Sequence, residues 1–453
     1  MKRKEFLINS VKGVVGLIVN SSLISLLSCN GEITKNPNII IIVSDDTGWN
    51  DVGYHNPQIK TPNINYLVKE GVELNNFYVS PLCSPTRAAL LTGRHPSRYG
   101  ILGPIVGGMK TTLPKGTMTL AEFLRQQGYQ TAIIGKWHLG LKPEDGPRQF
   151  GFDYSYGYFH GQLDPITHLY KSGEKTWHRN DQYIDEKGHV TDLITNEAIK
   201  YINDIRSKDK PFFLYIPFSA PHFPIEEEQK WLEMYPNIEN IERKKYCASM
   251  THMDDGIGKI IKALEGNKLL ENSLIIYMSD NGGCENFRSG SDYYDNKFPP
   301  AEILGDNKPL RGWKGELYEG GIRVPALIYW KGKLNPCKVE EVIAVEDIYP
   351  TIAELINSNI PDKHSIEGIS IWSALGGGKL PERLLYWRTE KQFAVRKGNW
   401  KLIHNGININ DGNDELYNLL IDPFEKDNLI KLEHNISKKL KEELQKNAAL
   451  DTF

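Results

Sequence analysis

The sequence predicts an α/β fold: a large, mainly parallel sheet sandwiched by helices, with a smaller antiparallel α+β subdomain at the C-terminal end. Three observations predict it. Four short apolar runs, 38–44, 131–135, 211–218 and 274–279, have the length and residue make-up of strands buried on both faces. Helical stretches at about 191–206 and 246–265 fall between them, and strands alternating with helices argue a parallel sheet covered on both sides. After about residue 360 the pattern becomes closely spaced short strands with a Lys397-Gly398-Asn399 turn, the mark of an antiparallel unit.

The chain opens with Lys2, Arg3 and Lys4 and an apolar run from Gly13 to Leu27, too short and too polar for a membrane span; residues 1–28 read as a secretory signal. That stretch ends Leu26-Leu27-Ser28-Cys29, which resembles the lipobox of bacterial lipoproteins. The resemblance implies cleavage before Cys29, lipid on that residue, and a mature chain exported to the periplasm or cell surface of a bacterium and anchored there in a membrane. A plain signal peptide with an incidental cysteine is the other reading. Residues 29–37 are then a tether, 38–360 the main domain and 361–453 the C-terminal subdomain.

The first strand, Asn38 to Ser44, stops at Asp45-Asp46. Cys83-Ser84-Pro85-Thr86-Arg87 stands at the mouth of a helix, with Pro85 in a first-turn position that its fixed φ suits. Unpaired N–H groups and positive potential gather at a helix start, so anions are drawn toward Cys83. Thr119-Leu120-Ala121-Glu122 forms a capping box, and Gly128 stops that helix. Thr131 to Gly135 ends in Lys136-Trp137-His138, Pro211 to Phe218 in Ala220-Pro221-His222, and Leu274 to Ser279 in Asp280-Asn281-Gly282-Gly283. The helix at 246–265 carries Ile257, Ile260, Ile261 and Leu264 on one side. A polar loop rich in Asp, Asn, Gly and Pro runs from about 285 to 310, a length often kept for function. Phe393–Arg396 and Trp400–Ile403 form a hairpin, Glu415 to Leu420 adds a strand, and 436–447 closes the subdomain as a helix with Leu440 and Leu444 inward.

With 453 residues, 25% charged and 40% hydrophobic, the chain can bury a large core and is not disordered. Removing residues 1–28 takes away four basic groups (Lys2, Arg3, Lys4, Lys12) and one acidic group (Glu5), moving the formal charge from −3 to about −6. A modestly acidic surface argues against nucleic acid as a partner. An anionic ligand must therefore be met by local positive charge. Beyond Cys29 and Cys83, the cysteines Cys247, Cys284 and Cys337 have no zinc-like spacing and make no disulfide framework, although one pair could bridge in an oxidising compartment.

In parallel α/β sheets the ligand crevice lies beyond the carboxyl ends of the strands, where the polar residues above collect. Asp45, Asp46, Asp280 and Asn281 offer three carboxylates and an amide carbonyl, hard oxygen donors that suit Ca²⁺, or Mg²⁺, far better than zinc. Any one of them alone reads as a turn or cap residue; two such pairs at separate strand ends favour a metal. Arg87, Lys136 and Lys314, with His138 and His222, supply the cations and proton carriers around them.

Cys83 to Gly93 resembles the first signature of the sulfatase family, and Gly128-Tyr129-Gln130-Thr131 through Gly135-Lys136-Trp137-His138-Leu139-Gly140 resembles its second. The resemblance extends from 38 to about 430, through Leu310-Arg311-Gly312-Trp313-Lys314-Gly315, Glu319 to Pro325, Glu415-Leu416-Tyr417 and Asp422-Pro423. It implies an alkaline phosphatase-like fold and a sulfuric ester hydrolase of the arylsulfatase and N-acetylgalactosamine sulfatase type. It further implies that Cys83 is converted to formylglycine by a formylglycine-generating or anaerobic sulfatase-maturating enzyme. Asp45, Asp46, Asp280 and Asn281 would bind calcium, with the modified Cys83 close to it, and Arg87, Lys136, His138, His222 and Lys314 would line the sulfate pocket. In the implied reaction one hydroxyl of the aldehyde hydrate, deprotonated by Asp280, attacks sulfur while His222, with Lys314, serves the leaving alcohol. The other hydroxyl, deprotonated by His138, then expels sulfate. Thr86 stands at a position where the family carries Ser or Thr.

Gly161 to His168 is similar to the substrate-side loop of the same branch, in which an Asp and a His flank a tyrosine pair; here Pro165-Ile166 replaces the tyrosines. That makes Asp164 and His168 candidates for sugar contacts, against the plain reading of a surface turn. The expected substrate is a sulfated glycan fragment, chondroitin-type or algal galactan. Two other readings stay open: a phosphatase or phosphodiesterase of the same superfamily, disfavoured by a cysteine where those enzymes carry Ser or Thr, and a lipoprotein that binds sulfated glycan without cleaving it.

Overall fold

The computed structural model describes residues 36–109, 111–171, 173–287 and 293–452. The signal-like segment, Cys29 and the tether as far as residue 35 lie outside them. Residues from Asn36 onward form one compact unit. Among the described residues no helix is long and apolar enough to cross a membrane.

In chain order the strands are β1 (Asn38–Ser44), β2 (Val72–Tyr78), β3 (Gln130–Lys136), β4 (Tyr154–Tyr158), a short pair β5 (Leu169–Tyr170) and β6 (Glu174–Lys175), β7 (Trp177–Arg179), β8 (Gln182–Tyr183), β9 (Phe212–Pro217), β10 (Ser273–Ser279), β11 (Ala326–Tyr329) and β12 (Cys337–Ala344). Ten of them make one sheet in the order β12-β2-β11-β10-β1-β9-β3-β4-β7-β8. The central run from β10 to β4 is parallel throughout. Strand β11 interrupts the parallel pattern, running antiparallel to both β10 and β2, and β7 and β8 add an antiparallel edge.

Burial on both faces is direct in β1. Ile39, Ile41 and Val43 join one core cluster, and Ile40 and Ile42 join the cluster on the other face. Successive side chains of a strand point to opposite sides, so an unbroken apolar run must be covered twice. Helices Val190–Lys200 and Ile241–Gly266 cover the second face. The first of these ends earlier than its pattern predicts, turning at Tyr201–Ile205 into a π-helical turn. The second begins earlier, because the Asn240 side chain caps it by accepting from the Arg243 N–H at 2.8 Å. The Thr119 hydroxyl accepts from the Glu122 N–H at 3.1 Å, but the Glu122 carboxylate turns to Arg125 and Gln126, so only half of the capping box forms.

Strands β13 (Leu384–Arg388), β14 (Gln392–Lys397), β15 (Trp400–Asn405) and β16 (Asn413–Asn418) make a separate antiparallel sheet. Strand β16 is set two residues earlier than the sequence pattern suggests: its ladder ends with Asn418 opposite Trp400, and Leu420 points into solvent. The closing helix, His434–Ala448, lays Leu440 and Leu444 on this sheet. A fully buried ion cluster joins the sheet to the loop that carries Lys314: Lys401 Nζ lies 2.9 Å from Glu319 and 2.8 Å from Glu425. Replacing Lys401 with Met leaves two buried carboxylates without their cation, a loss of roughly 3–5 kcal/mol, read as a fall in the urea midpoint.

A second buried charge centre fixes the segment that follows His222. His252, on the long helix, has Nδ1 2.8 Å from Glu227 and Nε2 3.3 Å from Asp192. Burial alone would disfavour the imidazolium, but these two carboxylates push His252 up to about 9. Its folded pKa thus exceeds its ordinary 6.5, so its stabilisation is full below that value and is lost as pH rises through about 9. Melting temperatures measured from pH 6 to pH 9.5 should fall for the native chain, and the slope should flatten in His252→Gln.

Candidate active site

The strand ends converge as the sequence predicts. Asp45 and Asp46 follow β1, Lys136 ends β3 with His138 just beyond, His222 follows β9, and Asp280 and Asn281 follow β10. Because β1 pairs with both β9 and β10, three of these ends are neighbours. Two non-glycine residues here, Asp46 and His138, take positive φ values of 68° and 57°. Such conformations cost energy and are held only where the surroundings dictate them, as at functional sites.

The side chains form one buried network. Lys136 Nζ lies 2.6 Å from Asp45, and Arg87 grips one Asp280 oxygen through Nη2 at 2.7 Å and Nε at 3.1 Å. The other Asp280 oxygen accepts from the Asp46 N–H at 3.2 Å. Asp46 is held by Lys314 at 2.6 Å and by the Asn281 amide at 2.8 Å, with His222 Nε2 at 3.7 Å. Asp45, Asp280, Asn281 and Lys136 are wholly inaccessible to solvent.

Three carboxylates thus meet three permanent cations. Burial, then the neighbouring Asp280, pushes Asp45 up to about 7 against the pull of Lys136. Burial works the same way on Asp46, yet the charge and hydrogen bond of Lys314, with the Asn281 amide, hold it well below the usual carboxylate range. Burial and the nearby lysines hold His138 and His222 in their neutral form, His222 down to about 3.

Cys83 is the first residue of the helix Cys83–Thr92, every residue of which is buried. Its Sγ lies 3.1 Å from His138 Nδ1, while His138 Nε2 lies 3.0 Å from the Ile105 carbonyl. That carbonyl can only accept, so Nε2 carries the proton and Nδ1 presents its lone pair to residue 83. The Ser84 hydroxyl donates to the His138 carbonyl at 2.8 Å and accepts from the Ile105 N–H at 3.1 Å, locking the two segments together. Burial pushes the Cys83 thiol up, so unaltered it is protonated and a poor nucleophile.

Cys83, His138, His222 and Lys314 line one cavity of about 410 Å³. The rest of its wall includes Gly161, Gln162, Tyr170, Cys284, Asn286 and Phe287. Gly161 and Gln162 open the loop likened above to a substrate-side one, Asn286 and Phe287 fall in the long polar loop, and Cys284 stands directly after the Asp280-Asn281-Gly282-Gly283 strand end; Tyr170 has no sequence signal. A Cβ on Gly161 would come within 2.4 Å of the His138 ring. Gly161→Ala should therefore displace His138 and cost about 10²-fold in kcat, the scale of a 1 Å misplacement, with little change in melting temperature.

The structure does not bring Asp164 and His168 to this cavity. Asp164 accepts from the Ile166 and Thr167 N–H groups at 2.8 and 3.0 Å and from Lys297 at 3.0 Å, making an Asx turn of its own loop. His168 is buried, bonds the Gly188 carbonyl at 2.9 Å and stacks on Trp177. Cys83, Cys247, Cys284 and Cys337 are all free thiols, so no pair among them bridges.

Comparison with known proteins fits this geometry. A sequence profile of the family described as Sulfatase matches residues 37–358. The chain belongs to the sulfatase family. A second profile, N-sulphoglucosamine sulphohydrolase, C-terminal, matches residues 312–449. This sulfatase is 32% identical to arylsulfatase J of Mus musculus over 82% of its own length, spanning 64% of that relative. It is 30% identical to N-acetylgalactosamine-6-sulfatase of Homo sapiens over 81% of its length and 71% of the relative's. Among solved structures, Ps i-CgsB in complex with k-i-k-neocarrahexaose superimposes with a TM-score of 0.82 at 30% identity, covering 92% of this chain and 94% of the other. The sheet architecture is thus that of sulfatases, with the expected parallel core and the antiparallel C-terminal unit.

The residues present fit the calcium ion that this family implies. Asp45 Oδ1 and Asn281 Oδ1 are buried acceptors with no hydrogen-bond donor among the described residues. Buried oxygens are normally satisfied, and a hard cation satisfies carboxylate and amide oxygens together.

Proposed function

We propose that this sulfatase hydrolyses sulfate esters of saccharides, with residue 83 as formylglycine and a calcium ion held by Asp45, Asp46, Asp280 and Asn281. One observation carries the reading: a buried residue 83 at a helix start faces a histidine lone pair and shares its cavity with Lys314 and His222, which reach the oxygen cluster. The saccharide substrate class is supported by the names of N-acetylgalactosamine-6-sulfatase and of the structure holding a neocarrahexaose. The first 29 residues support export and a lipid anchor at Cys29, and formylglycine calls for a maturating enzyme as a transient partner.

Calcium would draw charge from the ester oxygens, and the hydrated aldehyde would supply the attacking oxygen. The chain's own groups do the rest. Lys314, beside the cavity, and Lys136 and Arg87, beneath it, set a fixed positive field against the sulfuryl oxygens without reorganising. His222, at the cavity wall and against Asp46, is neutral at rest; a bound sulfuryl anion favours its imidazolium, which is then placed to hand a proton to the departing alcohol. His138 Nδ1 is placed to take the proton of residue 83, since Ile105 fixes its tautomer. Purified mature protein should hydrolyse 4-nitrophenyl sulfate far faster than 4-nitrophenyl phosphate; the reverse preference would replace this reading with a phosphate-ester one.

A further inference from the structure

Beside the cavity of Cys83 lies a larger one of about 740 Å³, and the two share Pro104, Ile105 and Val106 as a dividing ridge. Both are assembled from the same segments. Leu82, just before Cys83, and Gly315 and Glu316, just after Lys314, face the larger cavity. Its far wall is the β13–β14 turn, Thr389–Gln392, with Asn405 of β15, so it closes between the main domain and the C-terminal sheet.

The wall is chemically mixed. Val106 and Met109 expose 41% and 48% of their surface, an open apolar strip leading from the ridge. Opposite it stand two amides held in place: Gln392 Nε2 donates to Asn405 Oδ1 at 2.6 Å, and Asn405 Nδ2 donates to Glu415 at 2.9 Å. The charged lining residues are Glu316, Glu390 and Lys391, one more negative than positive. An apolar strip facing amides and carboxylates suits a pyranose ring, whose C–H face lies on the strip while its hydroxyls bond the polar side. The same charge balance repels a sulfate or uronate.

Building on the sulfate-ester reading, we infer that this cavity binds an uncharged hexose unit linked to the sulfated unit in the Cys83 cavity. The protein therefore selects oligosaccharides whose sulfated sugar has a neutral neighbour. The test compares kcat/KM for 4-nitrophenyl sulfate, galactose monosulfates carrying the ester at each hydroxyl, and the matching galactobioses whose second unit is either unsulfated or sulfated. The unsulfated second unit should raise kcat/KM about tenfold or more over the monosaccharide, chiefly through KM, and a sulfated second unit should remove the gain. In Glu390→Lys, an exposed turn position, the preference for the neutral over the sulfated neighbour should fall about tenfold. Equal kcat/KM for monosaccharide and galactobiose, a native preference for the sulfated neighbour, or cleavage of the aryl sulfate but of no galactobiose would overturn the inference alone. Failure to cleave any sulfate ester would instead overturn the reading on which it rests.

Discussion

Cys83→Ser should lose roughly 10⁴-fold or more in kcat for 4-nitrophenyl sulfate, the scale on which removal of a nucleophile is felt. The expectation follows from the chemistry of residue 83. A serine is close in volume to the thiol, and Sγ makes one polar contact, to His138 Nδ1. The melting temperature should therefore hardly move. A serine oxygen could accept a sulfuryl group once, but it has no second hydroxyl with which to expel it. The variant should accordingly stall after at most one turnover, and single-turnover and steady-state measurements should separate sharply. Unchanged multiple turnover would refute the role given to this residue.

Chelation of divalent ions should be nearly as damaging. Charge stabilisation by a bound metal is worth several kcal/mol, so a rate loss of about 10³-fold is expected in EDTA-treated protein. Calcium should restore activity best, because its flexible coordination accepts four protein oxygens on two separate strand ends, whereas Mg²⁺ demands near-ideal octahedral geometry. Calcium should also raise the melting temperature by mass action. Asp45→Asn tests the same point from the protein side. It keeps the shape of the side chain but removes one negative charge, so activity should require far more calcium. A chelated protein with full activity would remove the ion from the account.

Much of this site was legible in the sequence because strand ends are legible. The run Asn38 to Ser44 is apolar at every position but its ends, so its C-terminal edge, and hence Asp45-Asp46, could be placed to the residue. The same holds for Asp280-Asn281 after β10. Other strands carry no such signal. Strand β2 spells Val-Glu-Leu-Asn-Asn-Phe-Tyr: the alternation that Val72 to Asn75 begins is broken at Asn76 after only four residues. Strand β12 bears Lys338, Glu340 and Glu341 and has an irregular register between Val339 and Val342, as an edge strand can. Strand β11 has only four residues, too few for a period.

The cavity wall was the least legible part. Gln162, Asn286 and Phe287 come from irregular loops and Tyr170 from the two-residue strand β5, where neither spacing nor hydrophobic period says which way a side chain faces. Asp164 and His168 show the converse: their types suit sugar recognition, but Asp164 is engaged by its own loop's N–H groups and Lys297, and His168 by the Gly188 carbonyl and the Trp177 ring.

The most direct measurement is the mass of the tryptic peptide ending at Arg87, taken from a preparation whose turnover of 4-nitrophenyl sulfate has been measured. The account predicts a peptide lighter than the thiol form by the mass difference between sulfur and oxygen plus two hydrogens, with activity proportional to the converted fraction. An intact thiol throughout a preparation that turns over at full rate would contradict it.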